Sequence, residues 1–395
     1  MQPPPPTPPP PAAPEMPAAP AIAPAQPLAQ SGPDAALATV PLTTAPPDAP
    51  ERRVRTWPVA LALVVLSPAI AELLSGSTPP LLAIQPFALI VLPTLYGVCV
   101  LLIREIMVRR GLGWGNALLL GAAFGIFQEA LVVQTWYTFR VPRSPAHTTG
   151  TYGVAFGIRW DWALNVTLYH AVISITVPLI LIGLLFPRQA ALPWLGRKRI
   201  IALALWMLAV CGALAYAVAF KQFAADGYTG PPLAPYLLAV ALTALALALG
   251  ALVRFPIPRA GRAGRRAPRV WTVRLAMAGL IVLYFAGVSA ILPATHLPAL
   301  VAVLVGGAVF AFGVWRVRAW SARPGWGARH WLALGIGVVL FFALLWGPLV
   351  EFVARLPQRQ GLVLADLLAL VALLAFDRRL KRRERQLAGT SQTAA

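Results

Sequence analysis

Apolar residues along this chain fall in long blocks, not in alternating runs, and from Trp57 onward the blocks are separated by short polar or Gly/Pro-containing stretches. A helix needs ~20 residues, at ~1.5 Å rise each, to cross ~30 Å of hydrocarbon. The pattern predicts ten such helices, at 57–75, 80–103, 114–136, 161–186, 200–220, 234–253, 271–292, 297–315, 331–353 and 361–376. The expected fold class is therefore an all-α, polytopic transmembrane helix bundle. Residues 56–197 form a four-helix front half with polar residues inside its spans. Residues 198–376 form a six-helix, more apolar back half, and 377–395 a basic C-terminal tail.

Composition changes this picture little. The 395 residues are 58% hydrophobic and 12% charged, against about 25% charged in a soluble domain. One soluble core cannot hide that apolar excess. Residues 1–55 differ, with 18 of the 40 prolines in the first fifty positions. Such a segment buries too little to offset its ordering entropy, so a disordered, polyproline-type tail is expected. It lacks the basic start and short apolar core of a signal peptide. Cys99 and Cys211 lie inside apolar blocks without metal-ligand spacing and read as small buried hydrophobes.

The net charge of +20 would suggest nucleic acid in a soluble protein. Here the basic residues lie between apolar blocks. With both termini inside, 27 of the 33 Lys and Arg face the cytoplasm, as the positive-inside rule requires. Eleven tryptophans, from Trp57 to Trp331, sit at or near expected helix ends, the depth an amphipathic ring prefers. The expected partners are the lipid bilayer of a bacterial plasma membrane and, at the Arg-rich loops, anionic headgroups at ~1 kcal/mol per basic side chain. Nucleic acid is not expected, and neither is a cofactor.

Ionisable groups inside spans are costly and mark function by default. Glu129 lies ~10 Å below the outer end of the third helix. His170 lies ~12 Å below the outer end of the fourth, and Glu72 ~5 Å deep on the first. Thr167, His170, Ser174 and Pro178 share one stripe. Gly121 and Gly125 form a GxxxG pair that admits another backbone. Gln85, Gln128, Gln134 and Asn165 are further polar groups in the outer half, so a pocket among the first four helices is expected. Arg104 and Glu105 are expected to close the second helix, Arg104 as an interfacial anchor and Glu105 paired with Arg109 at i+4. The plain alternative is that Glu129 and His170 are interhelical glue.

The runs YGVCVLLIREIMVRRGLGW, LLLGAAFGIFQEALVVQ, LYHAVISITVPLILIGLLFP and PWLG, within residues 57–197, resemble a group of uncharacterised bacterial polytopic membrane proteins. A weaker resemblance is to the CAAX- and bacteriocin-processing intramembrane proteases. Their EExxxR and FxxxH motifs imply that Glu129 and His170 are catalytic. Gln128 replaces the first glutamate, Val133 the arginine and Val166 the phenylalanine. No metal is expected, since zinc takes at least three protein ligands and Glu72, Glu129 and His170 differ in depth. Three readings stand: a non-enzymatic small-molecule or ion binder or transporter, a glutamate-type intramembrane protease, and a membrane scaffold.

Overall fold

The computed structural model describes residue 2 and residues 55–141, 152–255, 265–295, 297–354 and 359–393. The Pro-rich tail, much of the 137–160 connection and part of the basic 254–274 stretch lie outside the described residues. So does His296.

Among the described residues, ten helical rods lie in the ten predicted regions: α1 Trp57–Leu73, α2 Pro86–Arg110, α3 Trp114–Val132, α4 Trp160–Leu185 and α5 Arg197–Gln222 come first. They are followed by α6 Leu233–Leu252, α7 Val270–Ala294, α8 Ala299–Ser321, α9 Ala328–Val353 and α10 Leu362–Thr393. Eight of these, α2 to α9, are long and apolar enough to cross a membrane. The two terminal rods fall short of that standard. α1 spans only ~25 Å, and α10 carries Asp366, Asp377, Arg378 and Arg379 among the residues from Leu362 to Arg379.

Helix boundaries moved for identifiable reasons. The second helix was expected from residue 80, but Gln85 precedes Pro86 and is extended at φ −70, ψ 146. The residue before a proline avoids the helical region, so Pro80–Ala83 is a separate turn. At its other end α2 runs on through the strong helix formers Arg104–Arg110 and stops at Gly111, left-handed at φ 63. Arg104 and Glu105 are thus inside the rod and do not close it. The C-terminal tail continues α10 as helix through its Lys, Arg and Glu residues, all good helix formers. A two-stranded hairpin, β1 Val154–Ala155 with β2 Ile158–Arg159, turns just before α4.

α3, α4 and α9 are largely enclosed, whereas α5 to α8 present long apolar faces outward, among them Leu205, Leu245, Leu275 and Leu304. That is the distribution expected when lipid replaces water around the bundle. Packing crosses residue 197. α6 lies on α3, and α9 is wedged between α7 and the second half of α4. One core joins Ile173, Val177 and Leu181 of α4 to Leu332, Ile336 and Phe341 of α9. Glycines set the closest approaches. A Cβ at Gly97 would lie 2.3 Å from the Val64 carbonyl oxygen, and one at Gly121 2.8 Å from Ala171 Cα.

Bonds between connections sort the rod ends into two faces. Thr56 bonds the Trp194 carbonyl, Arg110 the Ala251 carbonyl, Ala267 the Pro324 carbonyl, and Arg329 bonds Asp377. All of these lie on the arginine-rich face. On the arginine-poor face Gln134 bonds the Ala215 carbonyl and Trp346 bonds the Ser75 carbonyl.

Candidate functional site

α1 to α4 each contain a π-helical segment: Ala69–Leu73, Pro93–Val98, Phe127–Val132 and His170–Thr176. The polar residues of interest sit in these segments: Glu72, Tyr96, Gln128 and Glu129, and His170 with Ser174. A π turn inserts a residue and rotates the following face, a device frequent at functional sites. π segments also occur in α5, α7 and α9, so the segment alone is not diagnostic.

α3 and α4 meet over Gly121 and Gly125. A Cβ on Gly125 would lie 3.0 Å from both His170 Cβ and Thr167 Cα. This approach places the His170 Nε2 2.9 Å from Glu129 Oε1 and its Nδ1 2.8 Å from Ser174 Oγ. Thr135 donates to Glu129 Oε2, and the Trp162 indole N–H donates to Thr135 Oγ1 at 2.9 Å. His170 and Ser174 are buried, and Glu129 is 8% exposed. The rings of Tyr96, Phe124 and Tyr169 surround the imidazole at centroid distances of 5.8, 5.3 and 5.4 Å.

A second chain runs beside the first. Gln128 Nε2 donates to the Tyr96 hydroxyl at 2.6 Å, Tyr96 donates to Glu72 Oε1, and Thr78 donates to Glu72 Oε2 at 2.6 Å. Glu72 is half-buried near the arginine-poor face. Arg359, in the connection between α9 and α10, feels its charge. Burial holds the Arg359 guanidinium below its ordinary pKa, and Glu72 partly offsets that. The two chains meet where the Tyr96 and His170 rings pack.

Of the residues singled out in the sequence, Glu72, Gln128, Glu129, His170 and Ser174 come together, while Gln85, Gln134 and Asn165 do not. Gln85 is exposed and reaches no farther than the Leu81 carbonyl. Gln134 sits at φ 58 beyond the end of α3 and ties that turn to Ala215 and Tyr228. Asn165 lines a separate cavity of about 60 Å³ with Arg159, Asp161 and Tyr284. Asn165 lies on its helix but projects away from the cluster, because depth says nothing of azimuth, whereas Gln85 and Gln134 fall beyond the ends of α2 and α3. Tyr96, Thr78, Thr135 and Trp162 were missed, since a hydroxyl or indole raises no alarm in an apolar block. Asp366, early in α10, stands apart from this cluster. It is fully buried against Gly347, and neither carboxyl oxygen has a partner among the described residues.

The RE motif of α2 makes a clasp. Arg104, 1% exposed, donates to Glu105 Oε1 at 2.7 Å and to the Gln189 and Ala190 carbonyls at 3.0 and 2.8 Å, and stacks 3.6 Å from the Trp194 ring. Glu105 also accepts from the Trp194 N–H and from Arg109 at i+4. Arg104 is therefore no interfacial anchor; its contacts with Gln189, Ala190 and Trp194 hold the connection that carries PWLG to α2. The clasp joins RE in α2 to PWLG after α4. The chain belongs to an uncharacterized membrane protein family, matched over residues 61–383. No curated protein and no solved structure matches it. The match reaches well past residue 197, so the six later rods are part of the same family unit as the first four. Among the described residues, no three His, Cys, Asp or Glu side chains group as metal ligands.

Proposed function

We propose that this multi-pass membrane protein is a small-solute or ion carrier that uses the Glu129–His170 pair to take up and release a proton. The observation that carries the reading is the imidazole held at both nitrogens inside the bundle, by a carboxylate at 2.9 Å and a hydroxyl at 2.8 Å. Such an arrangement has two proton states. In one, His170 Nε2–H donates to the Glu129 carboxylate and Ser174 donates to Nδ1. In the other, a protonated Glu129 donates to Nε2 and Nδ1–H donates to Ser174. The second state holds one proton more than the first: the incoming proton settles on Nδ1 as the Nε2 proton passes to Glu129, so the carboxylate is neutralised while the ring is neutral in both states. Glu72 and Tyr96, beside it and nearer the arginine-poor face, supply an entry route and a polar wall for a solute.

The test is proton movement into vesicles carrying an internal pH dye. Wild-type protein should relax an imposed pH step faster than empty vesicles, and Glu129→Gln and His170→Ala should each return relaxation to the empty-vesicle rate. Equal rates for wild type and both variants overturn the reading. Glutamate-type intramembrane hydrolysis draws on the same pair, which lies within acid–base reach. Against it, both Glu129 oxygens already have partners and Ser174 is enclosed. Loss of substrate cleavage in His170→Ala, with pH relaxation intact, would favour it. A scaffold role gains if neither activity responds. The charge count further supports an orientation with both ends in the cytoplasm of a bacterial plasma membrane, testable by labelling single cysteines placed at Arg55 and Gly230.

A further inference from the structure

At the arginine-rich face, the start of α7 lies against the connection between α8 and α9, and a cavity of about 480 Å³ opens between them. Four guanidinium groups line it: Arg266, Arg269, Arg274 and Arg329. The strap that forms its wall is fixed. The Ala267 N–H donates to the Pro324 carbonyl at 2.8 Å. His330 donates through Nε2 to the Pro268 carbonyl at 2.9 Å and accepts the Gly327 N–H on Nδ1 at 3.2 Å, so its ring is neutral by its partners.

The charges in this cavity do not balance. Arg274 and Arg329 converge on Asp377 of α10 at 2.6 and 2.9 Å, and Glu384 lies 3.8 Å from Arg329. Arg266 and Arg269 have no carboxylate partner among the described residues and are exposed. The Arg274 Nη2 touches Asp377 off the hydrogen-bond line, and its buried Nε has no partner among the described residues. α7 begins here with no side-chain cap, and Val270 and Trp271 of its first turn line the cavity. Forked guanidinium donors with a helix N-terminus suit the oxygens of a phosphate group.

We propose that this cavity is a phosphate-binding site, filled by the headgroup of an anionic phospholipid or by a soluble phosphate. Trp271 and Leu275 favour the lipid source. They stand exposed on α7 one turn apart, an apolar track leading from the cavity along the bundle's side. The inference is independent of the proton-carrier reading, because it uses none of the same residues.

The test is thermal unfolding of the full chain in neutral detergent with phosphatidylglycerol, phosphatidylcholine or inorganic phosphate added. Phosphatidylglycerol should raise the midpoint and phosphatidylcholine should not. Arg266→Gln with Arg269→Gln, both on exposed side chains, should weaken the apparent affinity about thirtyfold, the effect of two basic groups at a lipid surface. Arg197→Gln with Arg199→Gln, exposed on the same face, should leave it unchanged. A rise with inorganic phosphate that matches the lipid and is lost in the first variant assigns the site to a soluble phosphate. Three results overturn the proposal: no rise with either anion, an undiminished rise in the first variant, or equal losses in both.

Discussion

Gly121→Ala tests whether close approach of α3 and α4 builds the site. The new Cβ would lie 2.8 Å from Ala171 Cα, 3.0 Å from the Ala171 carbonyl oxygen and 3.2 Å from Ile175 Cβ. Relaxed carbon contacts fall at ~3.5–4.0 Å, and two of these three neighbours are backbone, with no rotamer to escape into. The rods must part by ~0.7–1 Å, and overpacking of this kind costs about 1–3 kcal/mol. Ala171 follows His170 directly, so the same movement stretches the 2.9 Å bond to Glu129 beyond the ~3.2 Å limit of a good hydrogen bond. An interhelical bond in a bilayer contributes ~0.6–2 kcal/mol. The total expected loss is about 2–4 kcal/mol, read from the denaturation midpoint in micelles, with a shifted His170 imidazole resonance. Gly279→Ala is the control, because nothing lies within 4 Å of its Cβ. It should be neutral or slightly stabilising. A Gly121→Ala protein within ~0.5 kcal/mol of wild type, with an unmoved His170 signal, would refute the packing argument, since that sits inside ordinary surface-mutation scatter.

Arg104→Leu strands buried Glu105 and two carbonyls, so it should cost about 3–5 kcal/mol; Arg104→Lys should recover part of this at most, lacking the fork. Denaturation midpoints of the two variants check both statements. Tyr96→Phe removes the hydroxyl shared by Glu72 and Gln128 and should lower stability by ~1–2 kcal/mol while slowing pH relaxation in vesicles. Asp377→Asn should cost on the order of 2 kcal/mol, less than a fully enclosed pair, because its arginines are 19% and 20% exposed. Burial opposes the Asp377 charge, but hydrogen bonds from Arg329 and the positive charge of Arg274 beside it outweigh that and hold the carboxyl below its ordinary range. A depressed carboxyl stabilises fully above its unfolded pKa of ~3.9 and loses that contribution as pH falls through the folded value. The wild-type minus Asp377→Asn difference should therefore be flat above about pH 5 and shrink below it. A difference that instead grows on acidification would reverse the sign and sink the argument.

The RE…RRG and PWLG runs illustrate how much chemistry hides in a signature. Read along the chain, Arg104 is a charge near a membrane surface. Folded, it is a buried cross-brace between α2 and the end of α4, with its fork filled by two carbonyls and a carboxylate. Its charge serves shape, and the same holds for Glu105. Glu129 and His170 differ, because their contact joins two ionisable groups that a pair of apolar side chains could have replaced.

Hydropathy blocks were enough to place ten rods along the sequence, although the Pro86 break and the Gly111 stop of α2 came from the fold. A bilayer demands about twenty apolar residues per crossing whatever they pack against. Depth was legible for the same reason: a helix rises by a constant ~1.5 Å, so Glu129 and His170 could be set level before any contact was known. The tertiary structure decided azimuth. It turned Asn165 elsewhere, drew Tyr96 and Thr135 inward, and enclosed Asp366, because π segments and glycine contacts rotate rods by amounts that no residue pattern encodes. It also decided membership across the chain: α9, far from α4 in the sequence, became a central helix packed on it, since apolar faces that look alike in sequence are distinguished only by what they pack against.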